Sequence, residues 1–257
     1  MSRAQTRGQR NAIKPSMDAL RVTGPGALAL CRVALPSPGA DEVAVRVAFV
    51  GICGTDVEIA RGDMVYYTSG AARFPCTLGH EWSGVVIEVG AGEAAARFAV
   101  GDHVVGECSV GCARAGCARC ASGSYHRCAD RTETGIMNRD GAAAERVVLP
   151  ARALHRVAAS VPLRAAALVE PAAVALNAAL LANVGPGSLV AVLGDGPIGL
   201  LLLLVSRALG ADAVFVVGAD DARLALAARL GAAAVVDARG GADVPAALTL
   251  PPATVRG

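Results

Sequence analysis

From Leu20 to about Val161 the apolar residues come in short runs, many alternating with polar positions and broken by glycine or proline. "EVAVRVAFVG", "GVVIEVG", "GDHVVGE" and "ERVVLP" read as strands, because a two-residue period turns one face of a strand toward a core. Residues 17–165 are therefore predicted to form a mostly β domain. After Pro162 the pattern changes. "PLRAAALVEPAAVALNAALLANV" is helical in composition, with Pro171 near a helix start or kink. A strand at Leu189–Leu193 follows, then a helix ending near Leu209, a strand at Ala213–Val217, a helix near Ala222–Leu230 and a strand at Ala233–Val236. Each of these two helices closes on Leu-Gly-Ala, a common way to end a helix. Strands alternating with helices of this length imply a parallel sheet, placing residues 166–257 in an α/β domain. At the ends, the basic, polar residues 1–16 read as a disordered tail, with the fold beginning at Met17. "RGGADVPAALTLPPATVRG" offers little beyond one short helix.

Composition narrows the function classes. Hydrophobic residues make up 54% and charged residues 18% of the 257, a globular balance. A formal net charge of +2, with Lys14 the single lysine, gives no basis for nucleic acid or an acidic membrane as a partner. The longest apolar run, Ile198 to Val205, is far short of the roughly 20 residues needed to cross a bilayer. No signal-peptide pattern opens the chain, so the expected location is cytoplasmic. In a reducing compartment, clustered cysteines favour a metal over disulfides. Four of the eight cysteines fall in one short stretch, "CARAGCARCASGSYHRC", at Cys112, Cys117, Cys120 and Cys128.

"VAVLGDGPIGLL" sets Gly194, Gly196 and Gly199 in a G-x-G-x-x-G that follows a predicted strand and opens a predicted helix. The first glycine permits the tight turn, the second lets a pyrophosphate approach the backbone, and the third allows close helix–strand packing. The helix start at Pro197 and Ile198 attracts phosphate charge, with backbone N–H donors from Ile198 onward. This is a dinucleotide-binding signal. The acid that binds the adenosine ribose is expected near the end of the second strand, where "VFVVGADDARL" has Gly218 at the tip and Asp220 and Asp221 just beyond. Those carboxylates mildly favour NAD over NADP. Arg223 suits either.

Two further stretches, "VGICGTDVEIARGD" and "TLGHEWSGVVIEVG", supply Cys53 and His80. With "VGD", the cysteine stretch, "EP" and "GDGPIG", the chain resembles the zinc-dependent medium-chain dehydrogenases, a family of alcohol, sorbitol, glucose and threonine dehydrogenases, from about Met17 to Asp237. The resemblance implies a GroES-like catalytic domain followed by an incomplete Rossmann domain. It implies an enzyme that moves hydride from a secondary alcohol to NAD or NADP. It also implies a catalytic zinc held by Cys53, His80 and Glu170, with Glu81 able to ligate or to exchange with water. Thr55 matches a proton-relay hydroxyl, and Asp56 a partner that orients the histidine. Glu58 stands where several relatives carry a relay histidine.

The family's structural zinc lobe has the spacing C-x2-C-x2-C-x7-C. Cys117, Cys120 and Cys128 match its last three positions, while Cys112 or Cys108 would supply the first. The ligand set suggests a polyol or amino-alcohol substrate, and "GDMVYYTSGAARFP" brings two tyrosines that could line its pocket. The family implies a homo-oligomer, an expectation weakened for a shortened chain. Two readings follow: a truncated or split dehydrogenase that needs further residues for turnover, or a catalytically inactive zinc- and nucleotide-binding remnant. Only the first three strands of a doubly wound sheet are present, leaving strand one with an unpaired edge.

Overall fold

The computed structural model describes residues 15–240. Of the predicted tail at residues 1–16, residues 1–14 lie outside these, as does the short helix in the last stretch, while Ser16 already belongs to the first strand. The chain divides into two units, at Ala167 and Leu168.

The first unit opens with β1 (Ser16–Gly24), β2 (Ala27–Ala34) and β3 (Glu42–Val50), then α1 (Gly54–Arg61) and the single turn α2 (Val65–Thr68). It continues through β4 (Cys76–Thr77), β5 (Trp82–Val89), β6 (His103–Gly106), β7 (Ser109–Val110), α3 (Ala118–Ala121), β8 (Thr132–Thr134), β9 (Asn138–Arg139), β10 (Arg146–Pro150), β11 (Leu154–Arg156) and α4 (Leu163–Ala166). The main sheet has the order β10-β3-β5-β6-β11 and is antiparallel throughout. Its strands are the four read from sequence, plus β11. Alternation along them sends Val43, Val45, Trp82, Val86, Val104, Val147 and Leu149 into one core. Burial at that level is worth on the order of 1.5–3 kcal/mol per large side chain.

A second, smaller core lies beside α1, formed by Val22, Ile59, Ala72, Leu78, Ile136 and Met137. Tyr66 and Tyr67, the two tyrosines that could line a substrate pocket, pack half-buried against it. Tyr67 stacks on Phe74 with ring centroids 4.3 Å apart, and its hydroxyl donates to the Ile136 carbonyl at 2.9 Å. The Tyr66 hydroxyl accepts from Arg131 at 3.2 Å. An aromatic body with a polar tip suits such a half-buried seam.

The second unit holds α5 (Val169–Leu181), β12 (Leu189–Leu193), α6 (Pro197–Ala208), β13 (Ala213–Gly218), α7 (Asp221–Arg229) and β14 (Ala234–Asp237). Pro171 sits in the first turn of α5, where its missing N–H costs nothing. Among the described residues the sheet is parallel, in the order β12-β13-β14. The central strand β13 is buried along its whole length, as a parallel strand covered on both faces requires. Strand β12 forms an edge, and its Leu189 and Leu193 are 60% and 80% exposed.

Candidate functional site

Cys53 is the residue from which α1 starts. The carboxylate of Asp56, in the first turn of that helix, turns back to accept the Cys53 N–H at 2.9 Å. Its other oxygen accepts the Gly79 N–H at 3.2 Å, on the segment that carries His80. One buried carboxylate therefore joins two segments that are remote in sequence. Its distance to His80 Nδ1 is 3.8 Å, too long for a hydrogen bond. Asp56 thus holds the backbones bearing both candidate ligands, with its carboxylate beside the His80 ring.

The 77–80 segment is fastened from its other side. Gly141, Ala142 and Ala143 donate to the carbonyls of Thr77, Gly79 and Leu78, each at 2.8 Å. Gly79 has φ +95°, and a Cβ there would lie 2.7 Å from Val50 Cγ2 and 2.8 Å from the Ala143 nitrogen. Only glycine fits this conformation and this approach.

Among the described residues, one ligand atom each from Cys53, His80 and Glu81 falls within 4.8 Å of the others. His80 is 4% exposed, and its Nδ1 is buried without a hydrogen-bond partner. A Cβ at Gly51 would come 2.5 Å from Glu81 Oε2, so the glycine leaves room for that carboxylate. A thiol, an imidazole and a carboxylate in a partly buried recess fit a zinc ion. Thr55 is half-buried beside Asp56 on α1, and Glu58 is exposed. Glu170 lies in the first turn of α5, in the second unit; its ligand role rests on the sequence.

The cysteine stretch folds into a compact lobe around α3. The sulfurs of Cys112, Cys117, Cys120 and Cys128 all lie within 4.8 Å of one another. Cys112 to Cys120 and Cys117 to Cys128 are each 3.8 Å. That is far beyond the roughly 2.05 Å of a disulfide. It matches the edge of about 3.8 Å in a tetrahedron with zinc–sulfur bonds of about 2.3 Å. The donor set fits zinc, and the grouping takes in Cys112. Cys108 packs instead against the second core. Hydrogen bonds from the Arg114 backbone and guanidinium push the Cys112 thiol down to about 6. Desolvation pushes that of Cys120 up to about 11. Arg152 ties the lobe to the domain by donating to the Gly111 carbonyl at 2.7 Å.

In the second unit, the glycine turn follows β12 as the sequence reading required. Gly194 has φ +120°, Gly196 precedes α6, and Pro197 is its first residue. A Cβ at Gly199 would overlap the Gly194 carbonyl, so the third glycine does bring helix and turn together. Asp220 caps α7: its side chain accepts the Arg223 N–H at 3.0 Å. The residue that the sequence reading missed is Asp195, inside the glycine motif. Its carboxylate accepts the N–H groups of Ala219 and Asp220 at 2.9 and 2.8 Å. Those two donors hold the Asp195 carboxyl below the usual carboxylate range. A polar residue between two motif glycines was the available signal.

No described helix is long and apolar enough to cross a membrane. Residues 39–159 match the alcohol dehydrogenase GroES-like domain family. The chain is 37% identical over 202 residues to L-idonate 5-dehydrogenase of Vitis vinifera, covering 77% of this chain and 52% of that one. It is 36% identical over 202 residues to L-threonine 3-dehydrogenase of Coxiella burnetii, covering 79% and 57%. Among solved structures it is similar to a zinc-binding dehydrogenase from Sinorhizobium meliloti bound to NADP, at 33% identity and a TM-score of 0.80, covering 90% of this chain and 64% of that one. The chain thus spans little more than half the length of these curated relatives. From the paired cysteine and histidine segments, the four-sulfur lobe, the glycine turn and these likenesses together, the chain belongs to the zinc-dependent medium-chain dehydrogenase family.

Proposed function

We propose that this chain carries the metal-holding and adenosine-binding parts of a zinc- and NAD(P)-dependent dehydrogenase acting on a polyol or another small secondary alcohol. The observation behind this reading is the buried Asp56 carboxylate, which gathers the Cys53 and His80 segments so that a thiol, an imidazole and the Glu81 carboxylate meet. In this reading, zinc supplies Lewis acidity toward a substrate hydroxyl and the nicotinamide supplies the hydride acceptor. The chain's own residues divide the remaining work. Cys53 and His80 would hold the ion, and Glu81 is a ligand within reach that can yield to substrate. The Thr55 hydroxyl would relay the proton of the substrate alcohol, accepting it while passing its own proton onward. Asp56 keeps the ligand backbones in register without touching substrate. The second zinc, on Cys112, Cys117, Cys120 and Cys128, is structural. Gly194, Gly196 and Gly199 admit the pyrophosphate to the start of α6 at Pro197 and Ile198. The relatives named for idonate and threonine, both hydroxyl-bearing substrates, support a secondary alcohol.

The test is zinc stoichiometry. The purified chain should hold two equivalents, and Cys53→Ser should lose one while leaving the sulfur lobe loaded. A chain with no zinc after metal-replete expression would end this reading. NADH or NADPH formation from a panel of polyols and amino alcohols, abolished by Cys53→Ser, would carry it to the reaction itself.

A further inference from the structure

Strands β12 and β13 run parallel with Leu193 opposite Val217, so the turn after β12 and the tip of β13 lie side by side. In a sheet of this topology the adenosine ribose is read at that place, ordinarily by an acid at the end of the second strand. This chain has Gly218 there. A Cβ at Gly218 would overlap the carboxylate of Asp195, so an acid at 218 and Asp195 as it stands exclude one another.

We propose that Asp195 is the acid that reads the nucleotide's ribose, placed on the glycine turn instead of the strand tip, and that it selects a free 2′-hydroxyl over a 2′-phosphate. The inference rests on the dinucleotide-binding part of the function proposed above.

Several observations converge on it. Asp195 is 8% exposed, and Oδ2 takes both N–H donors from the loop that follows β13. Its Oδ1 accepts from no other residue among those described, which leaves an acceptor for a ribose hydroxyl. The acids expected from sequence have other work. Asp220 caps α7, and the Asp221 carboxylate pairs with Arg239. Arg223 lies close enough to stabilise the Asp195 charge. Left alone, that guanidinium would welcome a 2′-phosphate. With Asp195 beside it the local charge is balanced, and a phosphate dianion meets a fixed carboxylate whose two N–H donors prevent it from turning away.

The test compares ADP-ribose with 2′-phospho-ADP-ribose, binding to the full 257-residue chain by calorimetry. The two probes differ only in the 2′-phosphate. The unsubstituted chain should prefer ADP-ribose. Asp195→Asn keeps an oxygen for the two N–H donors and removes the charge. It should narrow the preference about tenfold, a change of about 1.4 kcal/mol. A purely structural Asp195 would weaken both probes together and leave their ratio unchanged, and that result overturns the proposal. Gly218→Asp alone should weaken both, through overlap with Asp195. The pair Asp195→Ala with Gly218→Asp moves the carboxylate back to the strand tip and should restore the preference for ADP-ribose. That pair also serves if the asparagine variant fails to fold, and equal binding of both probes to it overturns the proposal. If the unsubstituted chain binds neither probe, the dinucleotide reading itself fails and this inference falls with it. Binding of both with an unmoved ratio sinks the inference alone.

Discussion

The two candidate metal centres of the first unit are built in opposite ways. In the sulfur lobe, Cys112, Cys117, Cys120 and Cys128 all come from one short stretch whose regular structure amounts to one helical turn and a 3-10 turn. Of its four sulfur-bearing residues only Cys128 is buried. In the other centre, Cys53 and His80 come from separate segments, Asp56 joins them by two backbone hydrogen bonds, and the apolar core around Ile59 lies on the same helix. Folding itself assembles the second arrangement. In the first, only polar contacts such as those of Arg152 with Gly111 and Tyr125 with Glu107 would oppose four thiols spreading apart without a metal, because a short loop without a core cannot offset its own chain entropy. A local ligand set therefore depends on its ion for structure, whereas a dispersed one is prepared by the fold before an ion arrives.

That contrast can be tested directly, and the largest effect falls on the lobe. Cys120→Ser should remove one zinc equivalent and unfold residues 112–128, since structural zinc contributes on the order of 10 kcal/mol to small metal-built folds. Hydrogen exchange should show lost protection confined to that lobe. Chelation should do the same to the unsubstituted chain while protection around Leu78 and His80 persists. Equal loss in both regions would break the comparison.

A smaller effect is expected at the prepared centre. Asp56→Ala leaves the Cys53 and Gly79 N–H groups without their acceptor. It should cost about 3 kcal/mol in denaturant unfolding, at about 1.5–3 kcal/mol for each hydrogen bond to a charged group less the relaxation that follows. Zinc affinity at Cys53 and His80 should fall about 10–100-fold in a competition titration, as for other groups that orient metal ligands. The lobe's zinc should be untouched. Smallest of all, Ile59→Val trims one methylene from a fully buried side chain on the helix that carries Asp56. It should cost about 0.5–1.5 kcal/mol with both zinc affinities unchanged, which would separate packing from ligand placement.

Much of this architecture could be read from the chain because it is local. Apolar alternation predicted β3, β5, β6 and β10, and β12 begins and ends where the pattern said, at Leu189 and Leu193. The glycine turn is legible because its φ requirement and its helix packing act within a few residues. The cysteine stretch is legible for the same reason. Helix α1 was not foreseen, since "GTDVEIAR" buries only Asp56 and Ile59 and gives no helical apolar period.

What the sequence by itself determined was the inventory: a β-rich unit, a parallel α/β unit, two candidate sets of metal-ligating residues and a glycine turn between a strand and a helix. Tertiary structure decided which partner each polar side chain takes. Asp56 binds two backbones beside the histidine ring, Asp220 caps a helix, the tyrosines pack against a core, and Asp195 takes the loop beyond Gly218. The physical reason is that a carboxylate or hydroxyl accepts whichever donor lies within about 3 Å at a suitable angle, and donors from distant segments come that close only once the sheets have formed.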